Sequence, residues 1–187
     1  PNKHMVIYYL RKQQLVNFVG VVEHSAWEEA SWTTKAPKAE LEQDFDGWHP
    51  TVQAVIAAVG KDQCYRWALH NQKPFAQWSS KRVTLLGDAA HATLPFMASG
   101  AAMAIEDGRI LQRALDQGSN VGQGLQLYQR NRLLRTAKIQ NMSTNMGKLY
   151  HLKNNFLLRM AFKALAILPG KKEDFLPDYD ANTIPIR

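Results

Sequence analysis

The sequence is short of several things at once. It holds one cysteine, Cys64, among 187 residues, which excludes an intramolecular disulfide framework and a zinc site of the paired-cysteine type. No apolar run reaches the roughly 20 residues that cross a bilayer; the longest, residues 156–168, is broken by Arg159 and Lys163. No apolar signal-peptide core follows a basic start. No Gly-x-Gly-x-x-Gly follows a strand-like segment, so one half of a dinucleotide site, the pyrophosphate cradle, is missing. Acidic residues are absent from residues 130–172, which hold ten Lys or Arg. An initiating methionine is absent too: the chain opens Pro1-Asn2-Lys3-His4 and enters an apolar run at once, which predicts a piece of something longer.

What is present argues for a packed protein. A hydrophobic content of 45% with 10% aromatics and 21% charged residues is not that of a disordered chain. The length predicts one domain or one large piece of a bigger one. The net charge of +7 lies wholly in the second part: residues 1–80 carry eight basic and eight acidic side chains, residues 81–187 fifteen and eight. Arg130, Arg132, Arg135 and Lys138 fall along one expected long helix. A nucleic-acid site needs such a patch, but neither a nucleic-acid motif nor interleaved aromatics accompany it. It reads as a solvated helix face, with no nucleic-acid partner and a cytoplasmic location.

Hydrophobic patterning predicts the elements. Residues 4–10 and 15–22 are rich in β-branched and aromatic side chains around polar Arg11-Lys12-Gln13-Gln14, which predicts a β-hairpin. Neither face of it is polar, so it should be covered on both sides. Residues 24–37 read as irregular. Short helices are expected over 38–45 and 51–59, and strands over 63–69 and 82–86, the latter buried. Helices should follow at about 100–116, 122–149 and 154–168, then an extended tail over the last 18 residues. Strands followed by helices predict an α+β fold. The expected parts are a β-sheet with short helices over 1–78, a strand-loop-helix over 79–118, and helices with the tail over 119–187.

The most informative stretch is Arg82-Val83-Thr84-Leu85-Leu86-Gly87-Asp88-Ala89-Ala90-His91-Ala92-Thr93-Leu94-Pro95-Phe96-Met97-Ala98-Ser99-Gly100-Ala101-Ala102-Met103-Ala104-Ile105-Glu106-Asp107. A strand delivers Asp88 at its carboxyl end, where open α/β sheets bind ligands. Ala89 and Ala90 allow close approach to the backbone. Ser99-Gly100-Ala101-Ala102 then opens a helix whose first turn has no acid, which leaves free amides and a partial positive charge for an anion or a polar ring. Ser99 could equally be a simple N-cap, and the small residues a helix–helix contact.

This stretch resembles the carboxyl-proximal motif of the class A, single-component flavin-dependent aromatic hydroxylases, in the salicylate hydroxylase and 3-hydroxybenzoate hydroxylase branch. Pro1-Asn2-Lys3-His4 before a strand with Tyr8, Phe45-Asp46-Gly47-Trp48-His49-Pro50, Trp67-Ala68-Leu69 before Pro74 and Trp78, and Asp178-Tyr179-Asp180 agree with it. The resemblance implies part of a substrate-domain sheet, followed by the last strand and helices of a Rossmann-like, GR2-type FAD-binding domain whose N-terminal βαβ unit is missing. It implies FAD, held by Gly87, Asp88, Pro95, Gly100, Ala101 and Ala102, and NADH or NADPH as co-substrate. The implied reaction is O2-dependent hydroxylation of a small phenolic or aromatic acid through a flavin hydroperoxide, with the isolated chain inactive. Tyr8, Phe96 and Ser99 would stand at the substrate; the branch often has Gln where this chain has Ser99.

Phenol deprotonation needs a base with a pKa near 7, and His4 is the candidate, against a purely structural sheet histidine. His91 reads as an anchor for its loop, and His49 as a helix-entry residue. The apolar helix at 155–168 must be covered, by core packing, a homodimer contact or a weak membrane-surface contact. The competing reading of the whole chain is a non-catalytic fragment that binds a partner or lipid without flavin. No metal site is expected.

Overall fold

A computed structural model describes residues 2–23, 33–167 and 179–187. Most of the expected irregular stretch 24–37, and Asp178 of the tail, lie outside the described residues. The chain divides into two compact units, Pro1–Leu69 with Tyr150–Lys153, and His70–Leu149 with Asn154–Arg187. Mixed helices and small sheets make up both, as the α+β expectation requires.

The first unit starts with the hairpin. Strands β1 (Lys3–Leu10) and β2 (Leu15–Val22) pair antiparallel, from Lys3 opposite Val22 to Leu10 opposite Leu15. Helices α1 (Lys38–Asp44) and α2 (Pro50–Ala57) follow. Pro50 suits a first helical position, where its missing N–H is no loss. His49 caps α2, its Nδ1 accepting from the Thr51 N–H at 3.2 Å. Phe45, buried after α1, packs against Gly20 of β2. A Cβ on Gly20 would stand 2.9 Å from the Phe45 ring, so glycine is what lets the ring reach the strand. Trp48 meets Phe45 edge-on at 4.9 Å. Lys3 ties the hairpin to the end of α1 through the Asp44 carbonyl (2.6 Å) and carboxylate (3.0 Å).

Two expectations for this unit fail. The strand at 63–69 is reduced to a single bridge between Lys35 and Tyr65, because no strand among the described residues lies beside the rest of it. The hairpin is also not covered on both sides: Val6, Tyr8, Tyr9, Leu10, Leu15 and Val16 are exposed. Among the described residues this ribbon has two strands only, too few to bury both faces.

In the second unit, β3 (Ser79–Ser80) and β4 (Val83–Thr84) form a minimal antiparallel hairpin. The expected buried strand 82–86 is therefore two residues long, and Val83 is 68% exposed. Its partner is the adjacent Ser79-Ser80 pair, so it gains none of the two-sided cover that makes a parallel strand uniformly apolar. Then come α3 (Asp88–His91), a 3-10 turn at Pro95–Met97, α4 (Gly100–Gln117), α5 (Val121–Tyr150) and α6 (Asn155–Ile167). The three long helices lie within a residue or two of their expected positions.

Helix α5 packs back along α4. A Cβ on Gly124 would come within 2.9 Å of the Leu115 Cα, which shows how closely the two backbones cross. Asn120 caps α5, its side chain accepting from the Gln123 N–H at 3.0 Å. Trp78, Ala90, Ile110, Ala114 and Tyr128 form the core. The described part of the tail is tied down: Arg113 donates to the carbonyls of Ala181 and Ile184, both at 2.7 Å, and Ile184 and Ile186 pack on the core. On α6, Phe156, Leu157, Met160 and Phe162 are exposed. No helix among the described residues is long and apolar enough to cross a membrane.

Candidate functional site

The second unit contains a pocket of about 400 Å³ at the start of α4, lined by Asp88, Thr93, Leu94, Pro95, Ala98, Ser99, Gly100, Ala101 and Ala104. Gly87 enters it with φ +59 and ψ −139, a conformation open in practice only to glycine. A Cβ there would also touch the Ala104 Cβ at 3.4 Å. Asp88 follows as the first residue of α3, its exposed side chain on the pocket wall. The opposite wall is the first turn of α4. No acid lies in that turn, and the buried Ser99 hydroxyl donates to the Met97 carbonyl at 2.6 Å instead of capping the helix. Helix geometry leaves the N–H groups of Gly100, Ala101 and Ala102 without intrahelical acceptors. Ala98, left-handed at φ +49, closes the Pro95–Met97 turn.

Helix α5 holds the pocket's loop in place. Gln140 donates to the carbonyls of Gln72 and Ala92, both at 3.0 Å, and Ser143 donates to the Leu94 carbonyl at 2.6 Å. The Phe96 ring rests on Gly147, where a Cβ would be only 2.3 Å from its Cε2.

The second unit also holds an ionic cluster whose centre, His91, Asp107 and Arg132, is fully buried. The Asp107 carboxylate accepts from Arg132 Nε at 2.6 Å, from His91 Nε2 at 2.6 Å and from the Gly87 N–H at 3.0 Å. Arg132 also reaches Glu106 at 2.8 Å, the Met103 carbonyl at 3.2 Å and the Tyr179 hydroxyl at 3.0 Å. Arg135 makes a forked pair with Glu106 (2.7 and 2.8 Å) and stacks over the Tyr179 ring at 3.6 Å. Burial alone would raise the Asp107 pKa. The His91 hydrogen bond, the Arg132 charge and the Gly87 N–H outweigh it, and hold the carboxyl below its ordinary value. Burial, then the Asp107 charge, pushes the Tyr128 phenol up.

With Nε2–H donating to Asp107, the His91 Nδ1 is a bare lone pair, and it has no partner among the described residues. An unpaired acceptor of this kind is the cheaper tautomer, because the alternative buries an unpaired N–H. Through Gly87, the cluster fixes the turn that presents Asp88.

The pocket brings together Asp88, Pro95, Ser99, Gly100 and Ala101, with Gly87 next to its wall. Ala102 is the following residue of α4 and is exposed. Phe96 lies against α5. His4 and Tyr8 stand on β1 in the first unit, where His4 is 2.7 Å from His151. One reading needs correction. Arg130 and Lys138 are exposed on α5, but Arg132 is 0% exposed and Arg135 nearly buried, so they are not part of a solvated face. The signal was available: Leu125, Tyr128, Arg132, Thr136, Ile139 and Ser143 recur at helical spacing along one stripe, with the arginine in register among buried neighbours.

A glycine turn, an exposed carboxylate and an uncapped helix start thus surround one pocket. Residues 3–143 match the family model described as FAD binding domain, and the chain belongs to that family. It is 43% identical over 152 residues to the 3-hydroxybenzoate 6-hydroxylase of Polaromonas naphthalenivorans (strain CJ2), a match that covers 81% of this chain and 37% of that protein. Among solved structures, a salicylate hydroxylase in a substrate complex superposes with a TM-score of 0.77 at 26% identity, covering 96% of this chain and 46% of that one. Klebsiella pneumoniae HpxO, complexed with FAD and uric acid, gives 0.67 at 28% identity over 85% and 40%. The chain thus spans less than half the length of each.

Proposed function

We propose that this chain is part of a cytoplasmic FAD-dependent monooxygenase that hydroxylates a small phenolic or aromatic-acid substrate with O2 and NAD(P)H. The observation that carries the reading is the pocket of the second unit, where Asp88 and the acid-free first turn of α4 face the same space. Its residues fit a flavin by their chemistry. Asp88 is an acceptor suited to ribityl hydroxyls. The amides of Gly100, Ala101 and Ala102 are donors suited to the polar, electron-rich end of the ring system. Pro95 contributes an apolar wall, and Gly87 beside it allows close approach to the backbone. Bound FAD would supply the redox and oxygen-activating chemistry, with NADH or NADPH as electron donor.

The chain's own residues have the other tasks. The dipole at the start of α4 stabilises negative charge without rearrangement, because the helix is already built. In the second unit Phe96 contributes aromatic surface for the substrate and Ser99 tunes which substrate fits; Tyr8, on β1, is a substrate residue of the first unit. His4 accepts the phenol proton: burial, and then neighbouring His151, lowers its pKa, which favours the neutral, proton-accepting ring. In this reading the hairpin unit is part of a substrate-domain sheet. The second unit is the carboxyl-proximal part of a Rossmann-like, GR2-type FAD domain. A homodimer contact on the exposed face of α6 belongs to the same picture.

Flavin titration tests the cofactor assignment. FAD fluorescence should be quenched by the chain, weakly. Asp88→Ala should weaken the binding by about 10-fold or more, since a hydrogen bond to a charged group contributes about 1.5–3 kcal/mol, while far-UV circular dichroism stays unchanged. Equal FAD affinity of the two proteins removes Asp88 from the site. Oxidation of NAD(P)H in the presence of 3-hydroxybenzoate or salicylate, measured on the flavin-loaded enzyme, tests the reaction class.

A further inference from the structure

Helix α3 has four residues and carries the Asp88 carboxylate of the pocket wall. A single helical turn does not persist on its own, because nucleating it is unfavourable. Among the described residues nothing pairs with the Asp88 side chain, so its place is set through the backbone of α3. That backbone is pinned at both ends by one atom: Oδ2 of Asp107 accepts from the Gly87 N–H at 3.0 Å and from His91 Nε2 at 2.6 Å. We propose that His91 and Asp107 form a clamp on α3, as positioning residues that hold Asp88 where the flavin's ribityl hydroxyls need it. The proposal rests on the reading of the pocket as the flavin site and adds residues that do not line it.

The donors and acceptors are unambiguous. A carboxylate only accepts, so His91 Nε2 carries its hydrogen whether the ring is neutral or charged. Both ends of α3 thus donate into a negative charge, and such bonds are about twice as strong as neutral ones. His91 is 1% exposed and Asp107 0%, so water does not compete for them. Gly87 permits its φ of +59 but does not enforce it, since glycine visits many conformations; the acceptor on its N–H selects one.

Asp107 is itself fixed. It belongs to α4, and Arg132 of α5 braces its Oδ1 at 2.6 Å. The first turn of that same α4 is the opposite wall of the pocket. The clamp therefore refers the acceptor wall to the helix that carries the donor wall, and holds the two in one frame. The other ring nitrogen supports this use of His91. Its Nδ1 is buried with no partner among the described residues, a cost that an apolar side chain would avoid. Packing beside Trp78, whose ring centroid is 5.5 Å away, would suit leucine as well. What leucine lacks is the Nε2 donor.

Flavin titration of the 187-residue chain tests this, with His91 varied and not Asp107, because Asp107 also holds Arg132. His91→Leu should raise the FAD dissociation constant by about 3- to 10-fold, the contribution of one hydrogen bond, and speed amide exchange at Gly87. His91→Gln, whose side-chain amide can still donate to Oδ2, should restore most of both. Because His91 acts through Asp88, adding His91→Leu to Asp88→Ala should weaken FAD binding by less than about 2-fold further. A packing role would lower the melting temperature of both His91 variants and leave the FAD dissociation constant of the folded protein unchanged. That result overturns the proposal, and so does full additivity in the double variant. A Gly87 amide that exchanges in wild type as fast as an unprotected one overturns it even if every variant misfolds. Wild type that fails to quench FAD fluorescence overturns the flavin reading and the clamp's role together, whereas flavin binding that His91→Leu leaves intact overturns the clamp alone.

Discussion

Removing the Asp107 carboxylate should be the most damaging single change in the second unit. In Asp107→Ala, Arg132 stays fully buried and keeps only Glu106 as an ionic partner, at 2.8 Å. Breaking one side of a buried ion pair costs about 3–5 kcal/mol. The Gly87 N–H loses its acceptor as well, at about 1–3 kcal/mol for an unpaired buried donor. Glu106 offsets part of this, so about 4 kcal/mol is expected. With a urea m-value of about 2 kcal/mol/M, the midpoint should fall by roughly 2 M.

The pH dependence has a definite sign. The folded Asp107 pKa is held below its ordinary value, so its stabilisation is complete above the unfolded carboxylate pKa of about 3.9 and is lost as pH falls through the folded value. The gap between wild type and Asp107→Ala should be constant from about pH 7 to 5 and shrink below about pH 4. Urea melts followed at 222 nm, where α4 and α5 dominate, measure both quantities. A midpoint within about 0.3 M of wild type at pH 7 would refute the reasoning, and so would a gap that persists unchanged into acid.

Two glycine substitutions test close contacts. Gly147→Ala should lower the melting temperature, because overpacking against Phe96 costs about 1–3 kcal/mol and outweighs the gain of up to about 1 kcal/mol in helix propensity. Adding Phe96→Leu should restore it, and a stabilised Gly147→Ala single mutant would show the contact to be absent. Gly20→Ala should loosen the first unit by displacing the Phe45 ring. Faster hydrogen exchange across β1 and β2, with α4 and α5 unaffected, is the expected result, and unchanged exchange in the hairpin counts against the Phe45 contact.

The local elements were legible because each obeys a local rule. Alternating β-branched and aromatic residues flank a polar turn in the hairpin, and the apolar stripes of α4, α5 and α6 repeat at helical spacing. The run from Gly87 to Ala102 was equally readable, since a glycine turn, a carboxylate and an acid-free helix start are adjacent in sequence. The strand at 82–86 was misjudged for a complementary reason. Its apolar composition says what it tolerates, whereas burial requires neighbours, and among the described residues Val83 has only the Ser79-Ser80 pair beside its strand.

The sequence by itself determined the helices, the hairpin and the Gly87–Ala102 stretch, because backbone propensity and short-range spacing act within a few residues. Tertiary structure decided the charges. Arg132 reads as a surface cation until α5 folds against α4 and sets it 2.6 Å from Asp107, 25 residues away in the chain. His151 reads as nothing until it meets His4 across 147 residues. A side chain's ionisation, tautomer and burial depend on which distant groups share its space, and only the folded chain supplies them.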